Sequence, residues 1–129
     1  MKGKLQVSLP DLLQAYGLPK GLFPKNATHY QLEEAESRLT VHLPSSCEVG
    51  FKDSSVIRYA NTVTAIISPG KLTDINGMKT KVLMWLNVSS ISVEDRSTNK
   101  FYLSVGGIRK SRPIDSYEIL RDGIEVDHF

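Results

Sequence analysis

The chain has 129 residues, of which 40% are hydrophobic and 23% are charged, and its formal net charge is +2. This size and composition are typical of one soluble globular domain, so we expect residues 1–129 to form a single domain around one core. The charge is too small, and the Lys and Arg residues are too scattered, for a nucleic-acid-binding protein. A single cysteine, Cys47, excludes an intramolecular disulfide and a cysteine-based zinc site.

The first residues show no secretory signal. Residues 1–10 read MKGKLQVSLP, which lacks the apolar run of a signal peptide, and no later segment is long and apolar enough to span a membrane. As written, the chain is therefore expected to be cytoplasmic. If a leader was trimmed, the protein is secreted, and the N-glycosylation sequons at Asn26 and Asn87 favour that alternative.

A short amphipathic helix is predicted over residues 8–16. Ser8 is a typical N-cap residue, Pro10 is tolerated in the first turn, and Gly17 can end the helix in the left-handed conformation. Apolar residues recur at the spacing of one helical face, namely Leu9, Leu12, Leu13 and Tyr16. A helix this short is unstable alone, so we expect it to pack as a cap on the rest of the domain.

The next stretch, residues 17–25, contains two prolines and two glycines. These residues are incompatible with a continued helix or a central strand, so we predict an ordered loop. We expect the apolar residues of this loop to anchor it in the core, and they are Leu18, Leu22 and Phe23.

Beyond Thr28 the apolar residues recur at every second position, as they do in half-buried strands. Strands are predicted over residues 30–32, 39–43, 47–51, 56–59, 62–67, 71–75, 78–93, 101–105 and 108–112. Short strands separated by frequent turns indicate an antiparallel sheet. The predicted fold class is therefore mainly β, with a barrel-like body over residues 28–129 that contains about eight to ten short strands.

Three dipeptides that contain glycine mark predicted turns. Asn76-Gly77 favours a two-residue hairpin turn. Asp122-Gly123 repeats this signal and predicts a C-terminal hairpin. Gly106-Gly107 lies between two predicted strands, where a tight turn or a bulge explains it.

The sequence contains no evident set of catalytic groups. The best nucleophile is Cys47, with His42 or His29 as its base, but a lone cysteine at the start of an apolar strand is typical of an inert packed residue. The three histidines lack the spacing of metal ligands. We therefore expect no catalytic residues, no metal and no cofactor.

A binding surface is the remaining functional feature. In residues 82–88 apolar side chains occupy both faces of the predicted strand. Either this is a central strand with two covered faces, or one face lines a cavity for a lipophilic ligand, as in barrels of about eight strands. The apolar candidates for ligand binding are Leu83, Met84 and Trp85. The basic candidates for contact with an anionic head group are Lys71, Lys81, Arg109, Lys110 and Arg112.

Several motifs together resemble the plant family DUF538, whose function is unknown. They are YGLP at 16–19, VHLPS at 41–45, CE at 47–48, GKL at 70–72, WL at 85–86, VGG at 105–107 and KS at 110–111. The resemblance covers residues 9–116 and implies an antiparallel β pseudobarrel that is capped at one end by the helix at 8–16. For function it implies a likeness to lipid-binding bactericidal permeability-increasing proteins, and links to plant stress responses and to chlorophyll binding or breakdown.

Three functions remain open. We favour non-enzymatic binding of a lipophilic or amphipathic small molecule, such as a lipid, by a monomer at an anionic membrane surface. The first alternative is a hydrolase that acts on a pigment ester such as chlorophyll. The second is a protein-interaction module that uses an exposed sheet edge. The scattered basic residues do not favour a nucleic-acid partner.

Overall fold

A computed structural model describes residues 6–27 and 29–129. Within these residues one α-helix, α1 (Leu9–Ala15), precedes nine β-strands. The strands are β1 (His29–Glu33), β2 (Arg38–His42), β3 (Cys47–Gly50), β4 (Val56–Ser68), β5 (Lys71–Lys81), β6 (Trp85–Asp95), β7 (Lys100–Val105), β8 (Ile108–Pro113) and β9 (Ile124–Glu125). Two short 3-10 helices, η1 (Arg96–Thr98) and η2 (Ile114–Tyr117), complete the described elements. The predicted mainly-β class is confirmed, whereas the predicted start of the body at Thr28 lies outside the described residues.

The nine strands pair antiparallel in one sheet, and seven of them follow the order β1-β2-β4-β5-β6-β7-β8. β3 pairs with the first half of β4 and with β9, whereas β2 pairs with the second half of β4. The register of β4 against β5 shifts between Tyr59 and Thr64, as it does at a bulge that bends a strand. The segments 56–59 and 62–67, which were predicted as two strands, are therefore one bent strand around which the sheet curls.

The terminal strands of this path, β1 and β8, do not pair in the part of the chain that the structure describes, so the barrel is open. Side chains of η2 join other, distant parts of the sheet. Tyr117 stacks on Phe51 with ring centroids 3.9 Å apart, and it meets Phe101 edge-on at 4.8 Å. Its hydroxyl is hydrogen bonded to Ser55 Oγ, which donates to Asp53 Oδ1 at 2.6 Å. The 3-10 helix η2 thus connects the β3–β4 turn to β7.

The predicted N-terminal helix is confirmed together with both of its caps. The Ser8 hydroxyl accepts a hydrogen bond from the Asp11 N–H at 3.2 Å. At the other end Gly17 has φ = 77°, and its N–H and the next one donate to carbonyls of the last turn in a Schellman motif. The Tyr16 carbonyl accepts from the Gly70 N–H at 2.6 Å, so the helix docks on the β4–β5 turn as a cap. The helix buries Leu9, Leu12 and Leu13.

The loop that follows α1 is held in the core by its predicted anchors, Leu18, Leu22 and Phe23. The Gly21 N–H donates to the Tyr117 carbonyl at 2.8 Å. A Cβ atom at Gly21 would lie 2.6 Å from that same oxygen. Glycine is therefore required here because two backbone segments approach each other closely, and the loop packs directly on η2.

The hairpin predicted at Asn76-Gly77 is wrong, because both residues lie within β5. Gly77 has φ = 99°, and a Cβ atom there would lie 2.7 Å from the Thr62 carbonyl oxygen of β4. Glycine is therefore needed here because β5 is irregular at this position and its backbone lies close to the bend of β4. The chain reverses instead at residues 82–84, so the single strand predicted over 78–93 is also wrong.

The predicted C-terminal hairpin is wrong as well. β9 follows Asp122-Gly123 but pairs with β3, with Ile124 opposite Glu48. A Cβ atom at Gly123 would lie 2.6 Å from Cys47 Sγ, so this glycine permits a close approach to β3 and not a local turn. At Gly106-Gly107, by contrast, φ values of 53° and 81° confirm a two-residue turn between β7 and β8.

We expect Gly21→Ala to lower the free energy of unfolding by about 1–3 kcal/mol, because the new methyl group would force the loop away from the Tyr117 carbonyl. Gly50→Ala is the matched control, since a Cβ atom at Gly50 meets nothing within 4 Å. The control should leave stability unchanged or raise it by about 0.4–1 kcal/mol. Urea denaturation measures both variants. Equal stability of the two would show that the loop does not depend on this contact.

Candidate functional site

The turn between β5 and β6 consists of residues 82–84, and we call it the hairpin tip. Two of the predicted ligand-binding residues, Leu83 and Met84, lie in the hairpin tip, and a third, Trp85, is the first residue of β6. The Val82 N–H donates to the Met84 carbonyl at 3.0 Å, and the Val82 side chain packs against the core. Leu83 and Met84 are 93% and 65% exposed. Lys81 and Trp85 pair across the base of the turn. The tip therefore projects two adjacent apolar side chains into solvent beyond a Lys–Trp pair.

The interpretation of residues 82–88 as one strand with two covered faces is wrong. The tip contains no Gly, Pro, Asn or Asp, the residues that usually mark a turn, so apolar residues run without a break from turn to strand. A cleft of about 320 Å³ lies elsewhere, at the start of α1, where Phe23, Lys25 and Tyr30 form part of its wall. None of the eight predicted ligand-binding residues lines this cleft.

Trp85 is half-buried and lies beside two cations. The guanidinium carbon of Arg58 lies 4.3 Å from the centre of the indole ring, and the Lys81 ammonium lies 5.9 Å from it. Both distances are within the range of cation–π attraction. Arg58 Nε also donates to Glu48 Oε1 at 2.8 Å. These contacts fix Arg58 over the indole ring of Trp85.

The residues around Trp85 come from three neighbouring strands, β4, β5 and β6. Arg58 of β4 is opposite Lys79 of β5, which is opposite Asn87 of β6. Directly opposed residues lie on the same side of a sheet, and so do residues two apart on one strand. Lys81 and its partner Trp85 therefore share the side of Arg58 and Lys79, which faces away from the core. We call Arg58, Lys79, Lys81 and Trp85 the basic face.

Sequence reasoning missed two members of the basic face, Arg58 and Lys79. The hairpin predicted within β5 would have opposed Lys79 to Asp74, whereas the observed register opposes Lys79 to Arg58. A partial signal was present, because Arg58 lies between the buried residues Ile57 and Tyr59 and so points away from the core. That alternation predicts the side of the sheet on which Arg58 lies, but it does not predict which residue of the neighbouring strand lies opposite Arg58.

Two of the predicted basic residues, Lys71 and Arg109, lie away from Trp85. Lys71 begins β5, ten residues before Lys81, and so lies roughly 33 Å from it along an extended strand. Arg109 lies over the Tyr102 ring at 3.8 Å and forms an ion pair with Glu94. Neither residue is part of the basic face.

Lys110 and Arg112 lie on β8, opposite Leu103 and Phe101, on the side of the sheet that faces the core. Arg112 Nη1 donates to the Ser111 carbonyl at 3.0 Å. Both cations border the open seam and not Trp85. Of the five predicted basic residues, the structure therefore brings only one to the indole ring.

Ile108 adds an exposed apolar side chain at the same end of the sheet as the hairpin tip. It is the first residue of β8 and is 49% exposed. The turn before it packs on β6, since a Cβ atom at Gly106 would lie 3.2 Å from Leu86 Cδ1. Exposed apolar residues thus occur on two neighbouring turns of this end.

Cys47 is fully buried, and burial raises the pKa of its thiol to about 11. The thiol is therefore protonated at neutral pH, the unreactive form. His29 and His42 pair across β1 and β2, with ring centroids 5.2 Å apart. In residues 6–27 and 29–129, no group of three or more His, Cys, Asp and Glu is arranged to hold a metal ion. None of the helices in this part of the chain is long and apolar enough to cross a membrane.

The free energy of unfolding should fall as the pH rises from 9 to 11. In the unfolded chain the pKa of Cys47 is 9.0, whereas in the folded protein it is about 11. Over that window the folded state binds more protons than the unfolded state, so a rising pH favours unfolding. Urea denaturation at several pH values measures the slope. Cys47→Ala lowers stability at every pH and should reduce the slope without abolishing it, because burial also raises the pKa values of Tyr59 and Tyr117. An unchanged slope would assign the titration to those tyrosines.

Comparisons with known proteins identify relatives of the whole chain. The family described as "Protein of unknown function, DUF538" matches residues 9–118. The chain is also 50% identical over 129 residues to the uncharacterised protein At5g01610 of Arabidopsis thaliana, a match that covers 100% of this chain and 74% of the Arabidopsis one. The family match includes the hairpin tip and the basic face and ends before β9.

Proposed function

The chain belongs to the DUF538 family of plant proteins, whose function is unknown, and from its geometry we propose that it binds lipid non-enzymatically at an anionic membrane surface. One observation carries this proposal. Leu83 and Met84 are 93% and 65% exposed at the hairpin tip, directly before Trp85. Single exposed apolar residues are normal on a protein surface, but here two are adjacent at the end of a hairpin and are followed by an aromatic residue.

Insertion of the hairpin tip into a membrane is expected to be energetically favourable. Burial of a Leu or Met side chain contributes about 1.5–3 kcal/mol. Trp85 follows at the depth where the amphipathic indole ring prefers to lie, between hydrocarbon and head groups. Lys81 pairs with Trp85 across the hairpin, and a basic residue near an anionic surface contributes about 1 kcal/mol. The result is a shallow and reversible attachment, typical of interfacial proteins that do not span the bilayer.

The proposal places the lipid outside the barrel. The predicted cavity beside Trp85 rested on an unbroken strand, and the chain turns there instead. The cleft at the start of α1 is not lined by Trp85 or by any member of the hairpin tip. Catalysis by Cys47 is not favoured, because the buried thiol has a pKa of about 11 and is protonated at neutral pH. A surface contact is therefore the form of lipid binding that the geometry supports best.

Co-sedimentation with phosphatidylserine vesicles tests the proposal. The double variant Leu83→Ser/Met84→Ser should bind at least about tenfold more weakly than the unchanged protein, because it removes the apolar surface that would insert. Val7→Ser, which changes an exposed apolar residue near α1, is the matched control and should bind normally. Trp85 is the only tryptophan, so its emission should shift to the blue on binding. If the tip variant binds as tightly as the control, the proposal fails.

Salt and charge give an independent test of the same contact. Lys81→Gln should weaken binding to the anionic vesicles about fivefold at low salt, which corresponds to the loss of about 1 kcal/mol. The difference should shrink as salt shortens the Debye length from about 10 Å at 0.1 M to about 3 Å at 1 M. Neutral phosphatidylcholine vesicles should bind both proteins weakly and equally. Binding that is indifferent to salt and to lipid charge would contradict an anionic target.

A further inference from the structure

The six residues after Gly123, which we call the tail segment (residues 124–129), cross one side of the sheet. The first two residues form β9 on the edge of β3. The Val126 N–H then donates to the Ser46 carbonyl at 3.0 Å. The attachment is slight, because β9 has only two residues and Ile124 remains mostly exposed.

The end of the tail segment contacts two cations of the basic face. Arg58 Nη1 donates to the His128 carbonyl at 3.4 Å, and Lys79 Nζ donates to the Phe129 carbonyl at 2.9 Å. The Lys79 ammonium also lies 4.5 Å from the centre of the Phe129 ring. The tail segment therefore engages two of the three cations of the basic face.

The charge of the tail segment opposes that of the basic face. It carries two carboxylates, Glu125 and Asp127, and no lysine or arginine. Both carboxylate residues line a shallow groove together with Arg58. With the tail in place, the positive potential that the basic face offers to an approaching anion is therefore reduced.

The position of these cations suits a membrane that receives the hairpin tip. Arg58 and Lys79 lie two cross-strand pairs further from the tip than Lys81 and Trp85, which is roughly 7 Å along the strands. Each head-group layer of a bilayer is about 5–7 Å thick. With the tip in the hydrocarbon, Arg58 and Lys79 would stand at the outer edge of the head groups, within a Debye length of about 8 Å at physiological salt.

We propose that Arg58 and Lys79 form a second contact surface for the anionic membrane, and that the tail segment occupies this surface until the membrane displaces it. The inference rests on the proposed membrane function of the tip. Lipid head groups offer charged phosphate and carboxylate oxygens to Arg58 and Lys79, and such oxygens are stronger acceptors than the neutral carbonyl of His128. An anionic surface also repels the carboxylates of Glu125 and Asp127, so it favours release of the tail segment.

A pair of full-length variants with the same charge change tests this competition. Glu125→Gln/Asp127→Asn neutralises the tail segment. Glu33→Gln/Glu34→Gln makes the same change at exposed positions of the β1–β2 turn, at the other end of the sheet. On phosphatidylserine vesicles the tail variant should bind about fivefold more tightly or better, and the control less than about twofold, because distant charges are screened. Addition of Lys79→Gln to the tail variant should remove most of the gain.

Hydrogen exchange at the Val126 amide reports the displacement itself. This amide is bonded to Ser46 in the free protein and should lose protection when phosphatidylserine vesicles are added, but not with phosphatidylcholine vesicles. Retained protection on bound protein, or equal gains in affinity for the tail variant and the control, would overturn the inference. The two proposals fail differently. Absence of any binding by the unchanged protein removes both, whereas binding that needs the tip and ignores the tail removes only this one.

Discussion

Closure of a sheet that lacks one backbone pairing is the constraint on which this fold depends. The terminal strands of the sheet path do not pair, and Tyr117 packs instead between Phe51, which follows β3, and Phe101 of β7, so that side chains join two distant parts of the sheet. Each such aromatic pair contributes about 0.5–1.5 kcal/mol beyond its buried area. Because Ser55 donates its own proton to Asp53, the Tyr117 hydroxyl is the donor in its bond with Ser55, so the buried phenol has a partner for its proton. Burial accordingly raises the pKa of Tyr117 to about 12.

The chain segments before and after η2 are also held by close contacts. The loop after α1 lies against the backbone of η2 at Gly21, and the chain after η2 lies against Cys47 at Gly123. Two close backbone approaches thus direct the last residues to the free edge of β3. From that edge the tail segment reaches the basic face through a bend at Asp127. Closure of the core and coverage of the basic face are therefore consequences of one path.

Local features of this fold were predictable from the sequence, and features that depend on the contacts of distant residues were not. The caps of α1 and the turn at Gly106-Gly107 are decided within a few residues, so sequence patterns identified them. Asn76-Gly77 and Asp122-Gly123 carry the same local signal, but there the glycine relieves a clash with another strand. The hairpin tip contains no residue that is typical of a turn, so the sequence pattern did not predict a turn there. Of the candidate site, Lys81 and the apolar residues were predictable, whereas Arg58 required the register of β4 against β5.

The large side chains in the core favour a place outside the barrel for the lipid contact that we propose. Among the largest fully buried side chains are those of Tyr59 and Phe101, and the Tyr59 hydroxyl donates to the Leu22 carbonyl at 2.5 Å within the core. Small barrels are filled by side chains in this way. The tip, in contrast, is anchored to the core through Val82, while Leu83 and Met84 remain exposed. Stable attachment of a peripheral protein usually needs two signals, and in the proposed membrane contact the tip would supply an apolar one and the basic face a charged one at the same end of the sheet.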